Sequence, residues 1–156
     1  MTQAVLVRRI AARPAIVFDA LVTAEGIASW WGPDDLPVLS ATAEPRVSGR
    51  FRVRFRRFDG GEHECTGEFL EIARPSRVVM SWRWDEGGDV VEAGNTSRLE
   101  FILRAIDTGT ELTLIHSELR TDATAQSHAG GWAGALEKLL RLYPKARSAP
   151  GSVNRD

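Results

Sequence analysis

DATAQSHAGGWAGALEKLLRLY, residues 122–143, is the longest window of the chain with helical periodicity. Trp132, Leu136, Leu139, Leu140 and Tyr143 recur at spacings of three and four, which places them on one stripe of an α-helix. Glu137, Lys138 and Arg141 fall on the other side. Thr121 or Asp122 can cap the start by accepting orphan backbone N–H groups, and Pro144 stops the helix. Gly130 and Gly131 sit in the middle at a cost of about 1 kcal/mol each relative to alanine, which predicts a close backbone approach to a neighbouring surface. A stripe this apolar needs a surface to cover, and the rest of the chain has to supply it.

Working back from the helix, residues 96–106 and 110–117 read as a hairpin. A turn around Asp107-Thr108-Gly109 pairs Leu103 with Leu112, Phe101 with Leu114 and Leu99 with His116, so His116 belongs to the apolar face. Residues 85–94 are acidic, glycine-containing and aperiodic, and are expected to be a mobile loop. Residues 77–84 form a strand with Val78, Met80, Trp82 and Trp84 on one face. Residues 50–58 alternate strictly, Phe51, Val53 and Phe55 against Arg52, Arg54 and Arg56, as a half-buried strand does. A three-residue loop, Asp59-Gly60-Gly61, would set Arg56 opposite Glu64, Arg52 opposite Glu68, Phe55 against Cys65 and Phe51 against Phe69. A two-residue loop would exchange the faces. Beyond Phe69 the phase changes: Leu70 and Ile72 fall with the charged face and Glu71 with Phe69. Either the strand is bulged and Glu71 turned out, or it is buried on both sides with Glu71 pointing inward.

The first third is shorter in its elements. Residues 4–11 read as a strand. Pro14 opens a short helix through Val22, with Ile16, Val17, Ala20 and Leu21 as its stripe. Thr23 caps a second short helix carrying Ile27, Trp30 and Trp31 and ending at Gly32-Pro33, and residues 36–43 form a second strand. Strand, two short helices, six strands and a long helix make an α+β chain, an antiparallel sheet curling over its terminal helix.

At 156 residues and 43% hydrophobic content the expectation is one globular domain over residues 1–144. The polar, aperiodic residues 145–156 are expected to form a disordered tail. A net charge of -1 gives no global attraction to nucleic acid or to an anionic membrane. The arginines of residues 50–58 face glutamates across the hairpin, so they are not expected to bind phosphates. With Cys65 as the single cysteine there is no internal disulfide, which fits a reducing compartment. Neither a signal-peptide pattern nor eighteen or so successive apolar residues occur, so a soluble, cytoplasmic protein is expected. Basic residues are arginines apart from Lys138 and Lys145, as in GC-rich bacterial genomes.

Five pieces in order carry a resemblance. They are Trp30-Trp31-Gly-Pro, the Gly67-x-x-x-Glu71-Ile72-x-x-Pro75 stretch leading to Ser81-Trp82, Gly109-Thr110-x-Leu112-Thr113-Leu114-x-His116, His128-x-x-Gly131-Trp132, and Leu136 with Leu139. Over roughly residues 5–143 the chain resembles the activator of heat-shock chaperone ATPase homologues, within the START/birch-pollen-allergen-like (SRPBCC) superfamily. The resemblance implies a helix-grip fold, a curved antiparallel sheet wrapped around a long C-terminal helix, with a cavity that often takes hydrophobic ligands. It does not imply chaperone activation, because in that family the chaperone contacts are largely made by a separate N-terminal domain, for which a chain of this length has no room.

Candidate chemistry is sparse. His116 on the apolar face either hydrogen-bonds a ligand, acts as a base, or is a satisfied core residue. His128, one turn before Trp132, either faces His116 or serves helix packing and capping. Cys65 with the two histidines lacks any short ligand spacing such as CxxC or HExxH, so no metal and no cofactor are expected. Neither GxSxG, a phosphate loop nor GxGxxG is present, and no catalytic residue is nominated. Trp82, Trp84 and Trp132 serve as core or as flat walls for an apolar ligand. The nominated cavity is Trp82, His116 and Trp132, with apolar lining from Phe51, Phe55, Phe69, Met80, Phe101 and Leu114. Two functions follow. One is a protein that binds a hydrophobic small molecule. The alternative is an interaction or regulatory module, chaperone-associated or stress-related, working as monomer or homodimer through its sheet exterior or residues 85–94.

Overall fold

In the computed structural model, which describes residues 2–34, 36–57 and 60–144, the terminal window is a helix as read. Its start is fixed by a reciprocal cap: the Thr121 hydroxyl accepts from the Thr124 N–H, and the Thr124 hydroxyl accepts from the Thr121 N–H. The elements in chain order are β1 (Thr2–Ile10), α1 (Pro14–Val22), α2 (Ala24–Ala28), β2 (Val38–Ala43), β3 (Arg50–Arg56), β4 (Glu62–Ala73), β5 (Arg77–Glu86), a 3-10 turn (Val90–Glu92), β6 (Ser97–Ile106), β7 (Gly109–Leu119) and α3 (Asp122–Leu142). The strands form one antiparallel sheet in the order β1-β7-β6-β5-β4-β3-β2. Its apolar face and the α3 stripe of Trp132, Ala135, Leu136 and Leu139 make one core, together with Trp30 and Trp31. This is the helix-grip α+β architecture. The expected tail, residues 145–156, lies outside the described residues.

The β6–β7 register is the one expected, Leu99 opposite His116, Phe101 opposite Leu114 and Leu103 opposite Leu112. The β3–β4 register is not. Arg56 faces Glu62, Arg54 faces Glu64, Phe55 faces His63 and Phe51 faces Gly67, a slide of two residues from the three-residue loop. A slide of two preserves both faces, so alternation and charge alone could not choose between the two registers. Gly67 chooses: a Cβ there would lie 2.6 Å from the Phe51 ring and 1.9 Å from the Ser81 carbonyl oxygen, so the ring needs a glycine beneath it. On the outer face Arg54 then meets Glu62, Glu64 and Glu86 at 2.8, 3.4 and 3.0 Å.

A bulge at Leu70, between the pairs Phe69 with Met80 and Glu71 with Val79, answers the question of phase. It turns Glu71 outward, where Arg77 donates to both its oxygens at 2.8 and 2.7 Å. Helix α2 is shorter than expected and ends before the tryptophan pair, which folds inward as a turn with both rings fully buried. Residues 85–94, expected to be a loop, include the end of β5 and the 3-10 turn Val90–Glu92. The buried Glu92 carboxylate accepts from the Thr124 hydroxyl (2.6 Å), the Arg120 N–H (2.8 Å) and the Asn95 amide (2.8 Å). Desolvation of Glu92 works against ionisation, but these donors outweigh it and hold the carboxyl below its usual range.

Candidate functional site

Between the tryptophan turn, strand β5 and helix α3 lies a cavity of about 340 Å³. Its floor is aromatic. Trp31, on the turn after α2, stacks on Trp82 of β5 with ring centroids 5.4 Å apart and 30° between planes. Trp132 of α3 stands edge-on to both, at 5.3 and 5.2 Å. Trp84 and Phe55 extend the wall, 5.9 Å from each other.

The turn that presents Trp31 is held from two sides. Gly32 takes φ +82°, a left-handed conformation that lets the chain reverse directly after the ring. Lys138, which the helical stripe assigned to the polar side, donates from Nζ to the carbonyls of Trp31 (2.6 Å) and Leu36 (2.8 Å). Arg141 pairs with Asp34 on the same segment. At the rim Gly88, with φ +77°, lies so close to the Trp84 ring that a Cβ would stand 2.5 Å from it. The exposed Arg57, Asp89 and Ser127 complete the mouth.

Gly130 and Gly131 correct the sequence reading. A Cβ at either would meet nothing within 4 Å, so neither marks a close backbone approach. Both line the cavity, and their missing side chains are part of its volume.

A family model for Activator of Hsp90 ATPase homolog 1-like protein matches residues 11–143. The chain belongs to this family. Among solved structures it is similar to the AHSA1 protein of Silicibacter pomeroyi at 25% identity, with a TM-score of 0.78 over 90% of this chain and 96% of that one. A Chromobacterium violaceum protein is 22% identical, with a TM-score of 0.77 over 92% of this chain and 98% of that one. The AHSA1-like protein of Aeromonas hydrophila is 21% identical, with a TM-score of 0.70 over 90% of each chain. No curated protein sequence matches the chain.

Within this family fold, the nominated residues divide. Phe55, Trp82 and Trp132 line the cavity. His116, Phe51, Phe69, Met80, Phe101 and Leu114 do not; they are buried in the core, because α3 and the inward tryptophan turn cover that part of the sheet. His116 is a link in a closed chain of hydrogen bonds. The Trp132 indole N–H donates to its Nδ1 (3.0 Å), so Nε2 carries the proton and donates to the Ser97 hydroxyl (2.8 Å), which donates in turn to the Trp82 carbonyl (3.2 Å). Burial, and then the neighbouring His128, push its pKa well below the ordinary histidine value. His128 does face His116, with ring centroids 4.9 Å apart. Its Nδ1 donates to the Thr124 carbonyl (2.7 Å) and its Nε2 accepts from the Trp84 indole (3.1 Å). All four ring nitrogens are therefore committed within the protein, and neither imidazole presents a free lone pair to the cavity. Burial likewise pushes the Cys65 thiol up. Among the described residues no three His, Cys, Asp or Glu side chains gather to hold a metal.

The sequence reading missed Trp31, Gly32, Asp34 and Arg57 as cavity residues. A signal was available in two places. Gly-Pro directly after the two tryptophans ends the helix at or before them, so their rings need not follow its stripe. Paired glycines in the middle of a long helix mark missing volume as readily as close approach.

Proposed function

We propose that this protein binds a hydrophobic small molecule in the cavity between Trp31, Trp82, Trp132 and the glycine pair of α3. The observation that carries this is the pairing of an aromatic floor with Gly130 and Gly131, where helix stability is given up and nothing occupies the space. A volume of about 340 Å³ stands at the lower end of the roughly 300–1,000 Å³ of small-molecule sites. That size suits one compact ring system better than a long acyl chain. No helix among the described residues is long and apolar enough to cross a membrane. With Cys65 a buried free thiol, a reducing compartment such as the cytoplasm is the location we propose. The arginines of β3 are engaged by glutamates, which supports a reading without nucleic acid as partner.

The test is a titration with 2-isopropenylnaphthalene, a flat apolar probe without polar atoms. Saturable binding with quenched tryptophan fluorescence and a raised melting temperature is the expected result, since a ligand of the folded state alone must stabilise it. No binding of this probe would end the proposal.

A second reading, as a protein-interaction module, draws on Val90 and Val91, which are 88% and 46% exposed on the segment joining β5 to β6. Native mass spectrometry of freshly purified protein separates the two: a retained small molecule favours the first, a stoichiometric protein partner the second.

A further inference from the structure

Strand β3 and the residue after it carry five arginines, and one of them is out of step with the rest. Arg50, Arg52, Arg54 and Arg56 lie on the outer face of the sheet, and each is within ion-pair distance of a glutamate. Arg57 follows Phe55 by two residues, so the pleat puts it on the inner face with Phe51, Val53 and Phe55. Its backbone is held in that phase. The Arg57 N–H donates to the Gly61 carbonyl (2.8 Å), which continues the β3–β4 ladder by one pair, and the Arg57 carbonyl accepts from the Gly60 N–H (2.9 Å). The exposed side chain stands at the cavity mouth, one pleat beyond the Phe55 ring, and the two line the same space. No carboxylate or carbonyl among the described residues receives its guanidinium. The two carboxylates of the mouth are used otherwise: Asp34 pairs with Arg141, and Asp89 accepts from the Val91 N–H. A merely solvated arginine would serve as well on the outer face, where its four neighbours are. The inner phase is what ties this one to the cavity.

We propose that Arg57 is the anion anchor of the cavity and that the ligand is a flat aromatic carboxylate, its ring among Trp31, Trp82 and Trp132 and its carboxylate at the mouth. This rests on the reading of the cavity as a binding site and adds the charge of the ligand. A guanidinium meets a carboxylate through two parallel N–H···O bonds, so the pair fixes the direction of entry as well as the sign of the charge. The carboxylate stays at the rim, where water reaches it, and avoids the desolvation that a charge among the indoles would cost. The Asp89 carboxylate at the same rim would favour a cation instead, so both signs are tested.

Three probes of one planar shape carry the three charge states: 2-naphthoate is anionic, 2-isopropenylnaphthalene neutral and 2-naphthamidine cationic. Each is titrated into the intact chain by calorimetry at neutral pH and about 20 mM salt. 2-Naphthoate should bind about tenfold or more tightly than 2-naphthamidine. In Arg57→Glu that ratio should fall by about tenfold or more, whereas Arg57→Lys, which keeps the charge and loses the fork, should still favour the anion. Because the ratio is taken within one variant, a general disturbance of the cavity cancels from it. Should Arg57→Glu fail to fold, salt decides in the unaltered protein: raising sodium chloride to about 200 mM should weaken 2-naphthoate by about threefold or more relative to the hydrocarbon. Equal affinity for the two ions, tighter binding of the amidine, or a ratio unmoved by Arg57→Glu or, failing that variant, by salt would overturn the inference. The cavity proposal would then still stand on the hydrocarbon. Failure of the hydrocarbon to bind would overturn both.

Discussion

Two neighbouring regions share Trp82 and Trp132 and treat their polar atoms in opposite ways. Around His116 every donor finds an acceptor: Trp132 to His116, His116 to Ser97, Ser97 to the Trp82 carbonyl. Around Gly130 and Gly131 the space is open, and behind it the buried indole N–H groups of Trp31 and Trp82 meet no acceptor among the described residues. The first region is finished by the chain itself, as a core must be when polar groups are buried in it. The second has the composition of a core and lacks its completion. That difference sets residues that hold the fold, His116 among them, apart from residues we propose to meet a ligand.

The largest break in the comparison comes from Trp132, which belongs to both regions. Trp132→Ala should destabilise the protein by about 3–5 kcal/mol in denaturant unfolding, since it removes a buried ring and leaves His116 Nδ1 without a donor. A loss under about 1 kcal/mol would mean that the helix grip depends little on this contact.

Next in size is His116→Phe, a test of whether the closed region is structural. Ser97 and the Trp132 N–H would both lose a partner, for an expected loss of about 1–3 kcal/mol at neutral pH. The variant should also differ in pH dependence. The folded pKa of His116 lies well below its unfolded value of about 6.5, so the unfolded chain takes up a proton that the folded chain refuses. Its contribution is complete above that pH and lost as pH falls towards the depressed folded value, with a slope of up to about 1.4 kcal/mol per pH unit. Unfolding measured from pH 7.5 to 5 should show this slope in the parent and a shallower one in the variant. Parallel curves would place the titration elsewhere.

The smallest effect sharpens the comparison from the open side. Gly131→Ala adds a Cβ where nothing stands within 4 Å, so it should stabilise α3 by up to about 1 kcal/mol. A destabilised variant would show that the position is crowded after all.

Much of this was legible in the sequence, and the parts that were not share a physical cause. Periodicity marked α3, and the β6–β7 register followed from the tight turn around Asp107-Thr108-Gly109, which sets Leu103 against Leu112 and Phe101 against Leu114. The β3–β4 register was missed because a slide of two residues leaves every face unchanged; what decides it is the ring of Phe51 over Gly67, a contact across strands. The Glu71 ambiguity was visible, and the bulge at Leu70 that settles it is a three-dimensional event. Of the nominated cavity, Phe55, Trp82 and Trp132 line it while His116 and the other five residues lie in the core. Patterning tells which face of a strand is apolar but not how far a covering element extends along it. The turn carrying Trp30 and Trp31 covers Phe51 and Phe101, with which its rings make direct edge contacts, and no periodicity announces a turn that folds inward.

The central claim is that the space beside Gly130 and Gly131 is a binding site and not slack in the packing. It is tested most directly by the double variant Gly130→Leu/Gly131→Leu, titrated with 2-isopropenylnaphthalene beside the parent protein. The account predicts a variant that keeps its cooperative melting and loses affinity for the probe by about tenfold or more, because the added side chains occupy the ligand's volume. A folded variant that binds the probe as tightly as the parent would contradict it.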